Sequence, residues 1–255
     1  MTGTVYLVGA GPGAADLLTL RAARLLERAD VVFHDALVPR EILALISKGK
    51  RIEVGKRSGR YATAQTFINK RLADAARSHA IVVRLKGGDP MLFGRAQEEI
   101  DYLAARNIRV EVVPGVTAAL AAAAELKLSL TARGLSRSVA FLTTRTAPGR
   151  RRNDWLRVAL AADAVAIYMG AGEAAEISRA LTAGGKPAST PVAVIESATL
   201  PGAQCRFGTL DGLARLVSGV SATGPVLLLL GEVLAAAARQ AGRSAPFPSI
   251  VASTK

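Results

Sequence analysis

Apolar residues along the chain come in two rhythms. Short unbroken runs, such as TVYLV at residues 4–8 and VLLLL at residues 226–230, suit strands buried on both faces of a sheet, which need no polar alternation. Between them lie longer stretches rich in Ala and Leu. In residues 16–28, for example, Leu17, Leu18, Arg21, Leu25 and Leu26 fall on one side of a helix. The same pattern predicts strands at 31–33, 51–54, 81–85 and 108–113, and then at 139–143, 164–169, 191–196 and 226–230. Helices are expected from Pro39 to residue 46, with the proline in the first turn, and at 65–79 with Thr63 or Thr66 as cap. Further helices are expected at 95–106, 117–126, 155–161, 173–183, 210–217 and 232–240. Strand and helix alternate throughout, which predicts an α/β fold. The polar, basic stretch 146–154 (TAPGRRRND) reads as a mobile loop, and residues from about 242 as a loose tail.

Composition narrows the class. Half of the 255 residues are hydrophobic and 4% are aromatic, so the core rests on Ala, Val and Leu. The length allows two modest domains. One cysteine, Cys205, excludes an internal disulfide and a multi-thiolate metal site, and two histidines, His34 and His79, argue against a His-based one. The start, MTGTVYLVGAGPG, has no basic segment before its apolar run, so the expected compartment is the cytoplasm. The longest apolar stretch, PVLLLLG into EVLAAAA, is broken by Glu232 and too short to span a bilayer. The net charge of +13 suits nucleic acid, a membrane surface or an acidic small molecule, and a general bias towards Arg explains it equally. No basic run is interleaved with aromatics as in single-strand binders, which ranks the acidic small molecule first.

Glycine-rich turns stand where strands are expected to end. GAGPG (9–13) has the setting of a dinucleotide-binding turn, but Pro12 removes a backbone donor, and Asp30 or Asp35 matches the usual acidic position only loosely. A plain strand-to-helix turn explains it too. KGGDP (86–90) lies at the carboxyl end of a buried strand, where open α/β sheets bind ligands. Asp89 offers a carboxylate to an amine or to ribose hydroxyls, and Arg84, Lys86 and Arg95 surround it with positive charge. VPGVT (113–117) repeats the design, with Thr117 placed to cap the next helix or to meet a ligand. Met169 ends a later strand, where either core or site suits it.

Taken in order, these segments resemble the uroporphyrinogen-III C-methyltransferases, tetrapyrrole methylases that use S-adenosylmethionine. The strings that carry the resemblance are LVGAGPG (7–13), HDALV (34–38), VGKR (54–57), VVRLKGGDPMLFGR (82–95), EVVPGVTAA (111–119), YMG (168–170), TPVAVIE (190–196) and GE (231–232). The resemblance implies two α/β domains of the class III methyltransferase kind, residues 1–115 and 116–241, the second with a mixed sheet, followed by a flexible tail at 242–255. It places the active site in the cleft between them and implies a homodimer. The implied reaction moves methyl groups from S-adenosylmethionine to C2 and C7 of uroporphyrinogen III, giving precorrin-2 for sirohaem, cobalamin or haem d1, with no metal.

By the same resemblance, Pro12, Gly87, Gly88, Asp89, Leu92, Thr117, Ala118, Met169, Ala198 and Leu227 line the S-adenosylmethionine pocket. Arg95 and Glu98 are expected at the reacting substrate, with Asp35 orienting a pyrrole N–H or accepting a proton. Lys56, Arg40, Arg133 and Met169, and more weakly Arg145, are expected to contact the substrate. Several positions depart from the family pattern: Ala14 replaces an Asp, Ala96-Gln97 a pair of glycines, Ala132 a His, Thr144-Arg145 a Gly-His, and Gly172 an Asn.

The chemistry agrees with these residues. In-line methyl transfer depends on placing a carbon nucleophile near the sulfonium. A reduced pyrrole is electron-rich, and after carbon attack a proton must be accepted. The substrate's many carboxylates suit Arg and Lys, which gives the positive charge a use. A methylase of a later corrin intermediate is the nearby alternative. An NAD(P)-dependent oxidoreductase using the first glycine turn is a distant one, and a nucleic-acid-binding module has charge alone behind it.

Overall fold

The computed structural model describes residues 2–54, 65–146, 154–220, 224–241 and 245–246. The chain divides into two compact units, Met1–Ala118 and Ala119–Lys255. In the first, β1 (Thr4–Gly9), β2 (Val31–His34), β3 (Lys50–Glu53), β4 (Ile81–Lys86) and β5 (Arg109–Val113) form a parallel sheet in the order β3-β2-β4-β1-β5. Helices α1 (Leu20–Arg28) and α2 (Arg40–Ala44) pack on one face, against Val8, Val32, Val83 and Leu85. Helices α3 (Gln65–Ala76) and α4 (Ala96–Ala104) pack on the other, against Val5, Leu7, Val31, Phe33 and Val82. With helices on both faces, the central strands β2, β4 and β1 are buried at most positions, and this is why their apolar runs show little polar alternation. The neighbours β1 and β4 send their chains to opposite faces, β1 to α1 and β4 to α4. Such a reversal leaves a crevice at the carboxyl ends of the strands, where open sheets take their ligands.

Helix α5 (Ala118–Glu125) leads into the second unit. There β6 (Val139–Thr143), α6 (Trp155–Ala161), β7 (Ala164–Tyr168), α7 (Ala174–Ala183), β8 (Pro191–Glu196), β9 (Gln204–Thr209), α8 (Leu213–Ser218), β10 (Val226–Leu230), α9 (Leu234–Ala241) and β11 (Ala245–Pro246) follow. The sheet order is β11-β9-β8-β10-β7-β6; β6 and β7 are parallel and every other pairing is antiparallel. Alternation within the strands sends side chains into two separate cores. Ala164, Ala166, Ala193, Leu227 and Leu229 join Ala119 and Ala122 of α5 and Leu234 of α9. Val165, Ile167, Val192, Val194, Leu228 and Leu230 join Ala159 of α6, Ile177 and Leu181 of α7 and Leu213 of α8. Truncating one of these fully buried leucines to Ala costs about 2–5 kcal/mol.

The structure differs from the sequence expectations in particular places. The first helix begins at Leu20 and not at residue 16, because Thr19 Oγ1 accepts from the Ala22 N–H as an N-cap, and a short 3-10 turn, Ala15–Leu17, precedes it. β9 was not expected; its buried Cys205 and Phe207 alternate with the more accessible Gln204, Arg206 and Gly208, a period-two signal in a short segment. The helices expected from 173 and 210 are each entered through a 3-10 turn, Ala171–Glu173 and Leu210–Gly212. Thr66 lies inside α3, and Thr63 lies outside the described residues. Residues 147–153 of the expected loop, and 242–244 and 247–255 of the expected tail, also lie outside them, whereas Ala245–Pro246 pairs with β9. Among the described residues no helix is long and apolar enough to cross a membrane.

Cys205 is buried in this sheet, and burial pushes its thiol up to about 12. A free thiol ionises near ~8.5, so the folded state keeps the proton that the unfolded state loses. The resulting contribution to stability is full below the unfolded value and is lost as pH rises towards about 12. A thiol reagent at pH ~8 is therefore expected to leave the native protein unlabelled and to react fully once denaturant unfolds it. Rapid labelling of the native chain would show that β9 is open.

Candidate active site

Three loops of the first unit leave the carboxyl ends of β1, β4 and β5 and meet backbone to backbone. The Gly88 N–H donates to the Gly11 carbonyl at 2.7 Å, and the Gly11 N–H to the Gly88 carbonyl at 3.2 Å. Both glycines have left-handed φ, +72° and +67°, where a β-carbon is strained. A β-carbon on Gly115 would lie 2.3 Å from the Gly88 carbonyl oxygen, and one on Gly9 would lie 2.6 Å from the Gly115 backbone. Asp89 ties the junction: its Oδ2 accepts from the Gly115 N–H at 2.9 Å and its Oδ1 from the Met91 N–H at 2.8 Å. Its carboxylate, expected to serve a ligand, thus first serves the backbone. The outer side of the loop is open, since a β-carbon on Gly88 would meet nothing within 4 Å and one on Gly87 only Leu37 at 4.0 Å. Pro12 and Leu92 are half-buried, Thr117 is buried just ahead of α5, and Ala118 opens that helix.

The second unit gathers its expected residues at one end of its sheet. Met169 follows β7, Ala198 follows β8, and Leu227 near the start of the antiparallel β10 pairs with Tyr168 and Ile195. Three non-glycine residues here have left-handed φ: Met169 (+59°), Ser197 (+53°) and Thr199 (+66°). In the first unit Phe93 (+53°) and Arg95 (+55°) share the feature. Backbone held in this region costs free energy and collects at functional sites. Asn107 and Lys127 have it for a different reason, because they end helices, with the Ile108 N–H returning to the Leu103 carbonyl and the Leu128 N–H to the Ala123 carbonyl. Glu125 Oε2 accepts from the Thr199 N–H at 3.2 Å; burial raises this carboxyl and that bond opposes the rise.

β4 reads IVVRLK, and its period of two places Val82, Arg84 and Lys86 on the face covered by α3 and α4. Both cations are buried, which requires counter-charge close by. Glu99 of α4, fully buried, supplies it: its Oε1 accepts from Arg84 Nε at 3.2 Å, and both its oxygens accept from Lys86 Nζ at 3.2 Å. Gln65 Nε2 of α3 adds a bond to Glu99 Oε1 at 2.9 Å. The second counter-charge is Asp35, just past β2, which takes Arg84 Nη2 on Oδ1 at 2.5 Å. Pairing of Phe33 with Arg84 brings the end of β2 to this point. Burial pushes the Lys86 ammonium down, Arg84 adds to that, and Glu99 and Asp35 oppose it. Removing one partner from such a pair costs about 3–5 kcal/mol.

Arg95 is the N-cap residue of α4 and grips Glu98 at two points, Nε to Oε1 at 2.8 Å and Nη2 to Oε2 at 2.7 Å. Their side chains are 57% and 53% exposed, so the pair adds at most ~1 kcal/mol and leaves both charges within reach of a ligand. Arg40, Arg133 and Arg145 are exposed on separate segments, and Lys56 lies outside the described residues. The structure therefore brings Asp35 and the glycine loops together at the carboxyl end of the first sheet. Of the three peripheral arginines, Arg40 belongs to the first unit and Arg133 and Arg145 to the second. Glu99 was missed from the sequence, although two basic residues two apart in an apolar strand call for a carboxylate on the covering helix.

The chain from residue 4 to residue 214 matches the tetrapyrrole (corrin/porphyrin) methylases. It is 45% identical over 233 residues to the siroheme synthase of Chromobacterium violaceum, covering 91% of this chain and 50% of that protein. To siroheme synthase 1 of Cronobacter sakazakii it is 46% identical, covering 91% and 49%. The chain thus spans about half the length of these relatives. Among solved structures it is similar to the native uroporphyrin III C-methyl transferase of Thermus thermophilus, with TM-score 0.79 and 38% identity over 96% of this chain and 97% of that one. The Thermus thermophilus enzyme complexed with S-adenyl homocysteine gives TM-score 0.80 and 39% identity over 92% and 100%. The chain belongs to the tetrapyrrole methylases.

Gly115→Ala is expected to lower stability by about 1–3 kcal/mol in urea denaturation, because its β-carbon meets rigid backbone. Gly172→Ala, where a β-carbon would meet nothing within 4 Å, should stay within about 0.5 kcal/mol. Equal stability of the two variants would show that the loops do not pack as described.

Proposed function

We propose that the chain is an S-adenosylmethionine-dependent C-methyltransferase that methylates uroporphyrinogen III at C2 and C7 to give precorrin-2. The observation that carries this reading is the open glycine cradle at the reversal between β1 and β4, in a chain similar over nearly its whole length to a uroporphyrin III C-methyl transferase. A related structure holds S-adenyl homocysteine, which supports S-adenosylmethionine as methyl donor. The residues fit such a ligand: Gly87 and Gly88 expose backbone with no side chain in the way, and Asp89 stiffens the loop from behind. Similarity to a cobalt precorrin-4 methyltransferase, at TM-score 0.79, comes with 26% identity. The lower identity ranks a later corrin substrate second.

S-adenosylmethionine supplies an electrophilic methyl group on its sulfonium. Everything else falls to the protein. Pro12, Thr117 and Ala118 border the first unit's cradle; Met169, Ala198 and Leu227 are the second unit's candidate contacts. Asp35, with its side chain 30% exposed, accepts a hydrogen bond from a pyrrole N–H or the proton released after carbon attack. Arg95 exchanges Glu98 for a carboxylate of the substrate, using the same two-point fork. Lys56, Arg40, Arg133 and Arg145 are read as outer contacts for the remaining carboxylates. A homodimer in the cytoplasm completes the reading, on the family resemblance and the composition.

Purified protein, S-adenosylmethionine and uroporphyrinogen III, mixed anaerobically, should yield mono- and dimethylated product by mass spectrometry. No methylated product would sink the assignment. Arg95→Ala is expected to lower kcat/KM for the tetrapyrrole about 10- to 100-fold, the range for losing a bond to a charged group, while S-adenosylhomocysteine still binds within about twofold. Loss of that binding would contradict the role given to Arg95.

A further inference from the structure

Arg84 bonds in two directions. Inward, its Nε donates to Glu99 Oε1 at 3.2 Å and its Nη1 to the Leu85 carbonyl at 3.1 Å. Outward, its Nη2 donates to Asp35 Oδ1. Glu99 cannot turn away, because Lys86 holds both of its oxygens and Gln65 holds Oε1. Gln65 is in turn bonded to Asn69 Oδ1 at 2.9 Å, and Asn69 Nδ2 donates to the Glu98 carbonyl at 3.2 Å. A flexible arginine is thus locked on its inner side before it meets Asp35.

The charge count points the same way. Arg84 and Lys86 carry two positive charges and Glu99 one negative charge, so the enclosed part is left with one positive charge, which the Asp35 carboxylate balances. A cluster with structural work alone could close on itself or be replaced by apolar residues without loss. Here one arm of the guanidinium reaches a partly exposed carboxylate at the carboxyl end of the sheet. Among the described residues that carboxylate has no other side-chain hydrogen bond. Lys86, a point charge already committed to Glu99, does not supply the fork geometry that spans two carboxylates.

We propose that Arg84, braced by Glu99, is a positioning residue for Asp35: it pins one carboxylate oxygen and so presents the other to the substrate. The proposal rests on the reading of Asp35 given above. It extends that role to two buried residues that touch neither substrate nor methyl donor.

The test is a double-mutant cycle on the full chain with Arg84→Lys, Asp35→Asn and the two combined. Steady-state methylation of uroporphyrinogen III and S-adenosylhomocysteine titration are measured for each protein, with Glu99→Gln as the isosteric probe of the brace. Arg84→Lys and Glu99→Gln are expected to lower kcat about tenfold or more, with KM for S-adenosylmethionine and S-adenosylhomocysteine affinity within about twofold. In the Asp35→Asn background, Arg84→Lys should change kcat by less than about twofold. Equal losses in both backgrounds, or a loss confined to ligand affinity, would overturn the positioning role. The same cycle read as thermal stability reports the Arg84–Asp35 pair without any reaction. Coupling in stability with no methylated product from the wild type would refute the assigned reaction and not the pair. Absence of coupling in stability refutes the pair itself.

Discussion

Strand β4 has to bury two cations in the middle of a sheet whose faces are both covered, and much of the first unit is arranged around that requirement. Arg84 and Lys86 occupy the α3–α4 face because strand alternation leaves them nowhere else to point. A lone buried charge costs many kcal/mol, so the covering helices must bring an acid and the hydrogen bonds that fix it. Glu99, Gln65 and Asn69 meet that need from α4 and α3. The brace sets how α3 and α4 lie over the strand, and it also decides what reaches the strand's carboxyl end. There the charge surplus meets Asp35, and the loops that follow β1, β4 and β5 are drawn into one junction through Gly9, Gly11, Gly88 and Gly115.

The junction and the charge cluster solve different problems at the same place. The glycines bring backbone within reach of backbone and leave an open outer side, which suits a flat or extended ligand laid against peptide groups. The cluster provides charge with little freedom to move, and it fixes one oxygen of a partly exposed carboxylate at the strand ends. In the second unit the strained residues around Ala198 and at Met169 mark a corresponding end of a sheet built on different pairing rules. Both sheets thus concentrate unusual backbone at strand ends and keep their interiors regular.

How much of this was legible in the sequence depended on range. The strands with unbroken apolar runs, β7 and β10, and the apolar stretches of β4 and β8 that end in charged residues, stood out because burial on two faces needs no polar alternation. β9 did not, because its alternation of Gln204, Cys205, Arg206 and Phe207 is short and polar at every second place. The start of α1 was misplaced because Leu17 and Leu18 mimic helical spacing, while the actual cap, Thr19, lies inside the apparent pattern. Local motifs such as GGDP announced a site; the partners that make it rigid did not. Nothing near Asp89 reveals that Gly115 takes its carboxylate, and nothing near Arg84 reveals whether Glu98 or Glu99 will face it, since one residue along a helix turns the side chain by about 100°. The Arg95–Glu98 pair, three residues apart, was readable, and the structure shows it in the exposed form that such spacing favours.

Arg95 also has a consequence for anyone who changes this protein. Its backbone sits at φ +55°, a conformation in which glycine is comfortable and arginine is not. Selection for thermal tolerance alone would therefore drift towards glycine at this position, gaining stability while discarding the guanidinium. The strain at residue 95 is a place where backbone comfort and the side-chain fork that grips Glu98 pull in opposite directions, and a stabilised variant that kept Arg95 would have found its gains elsewhere in the chain.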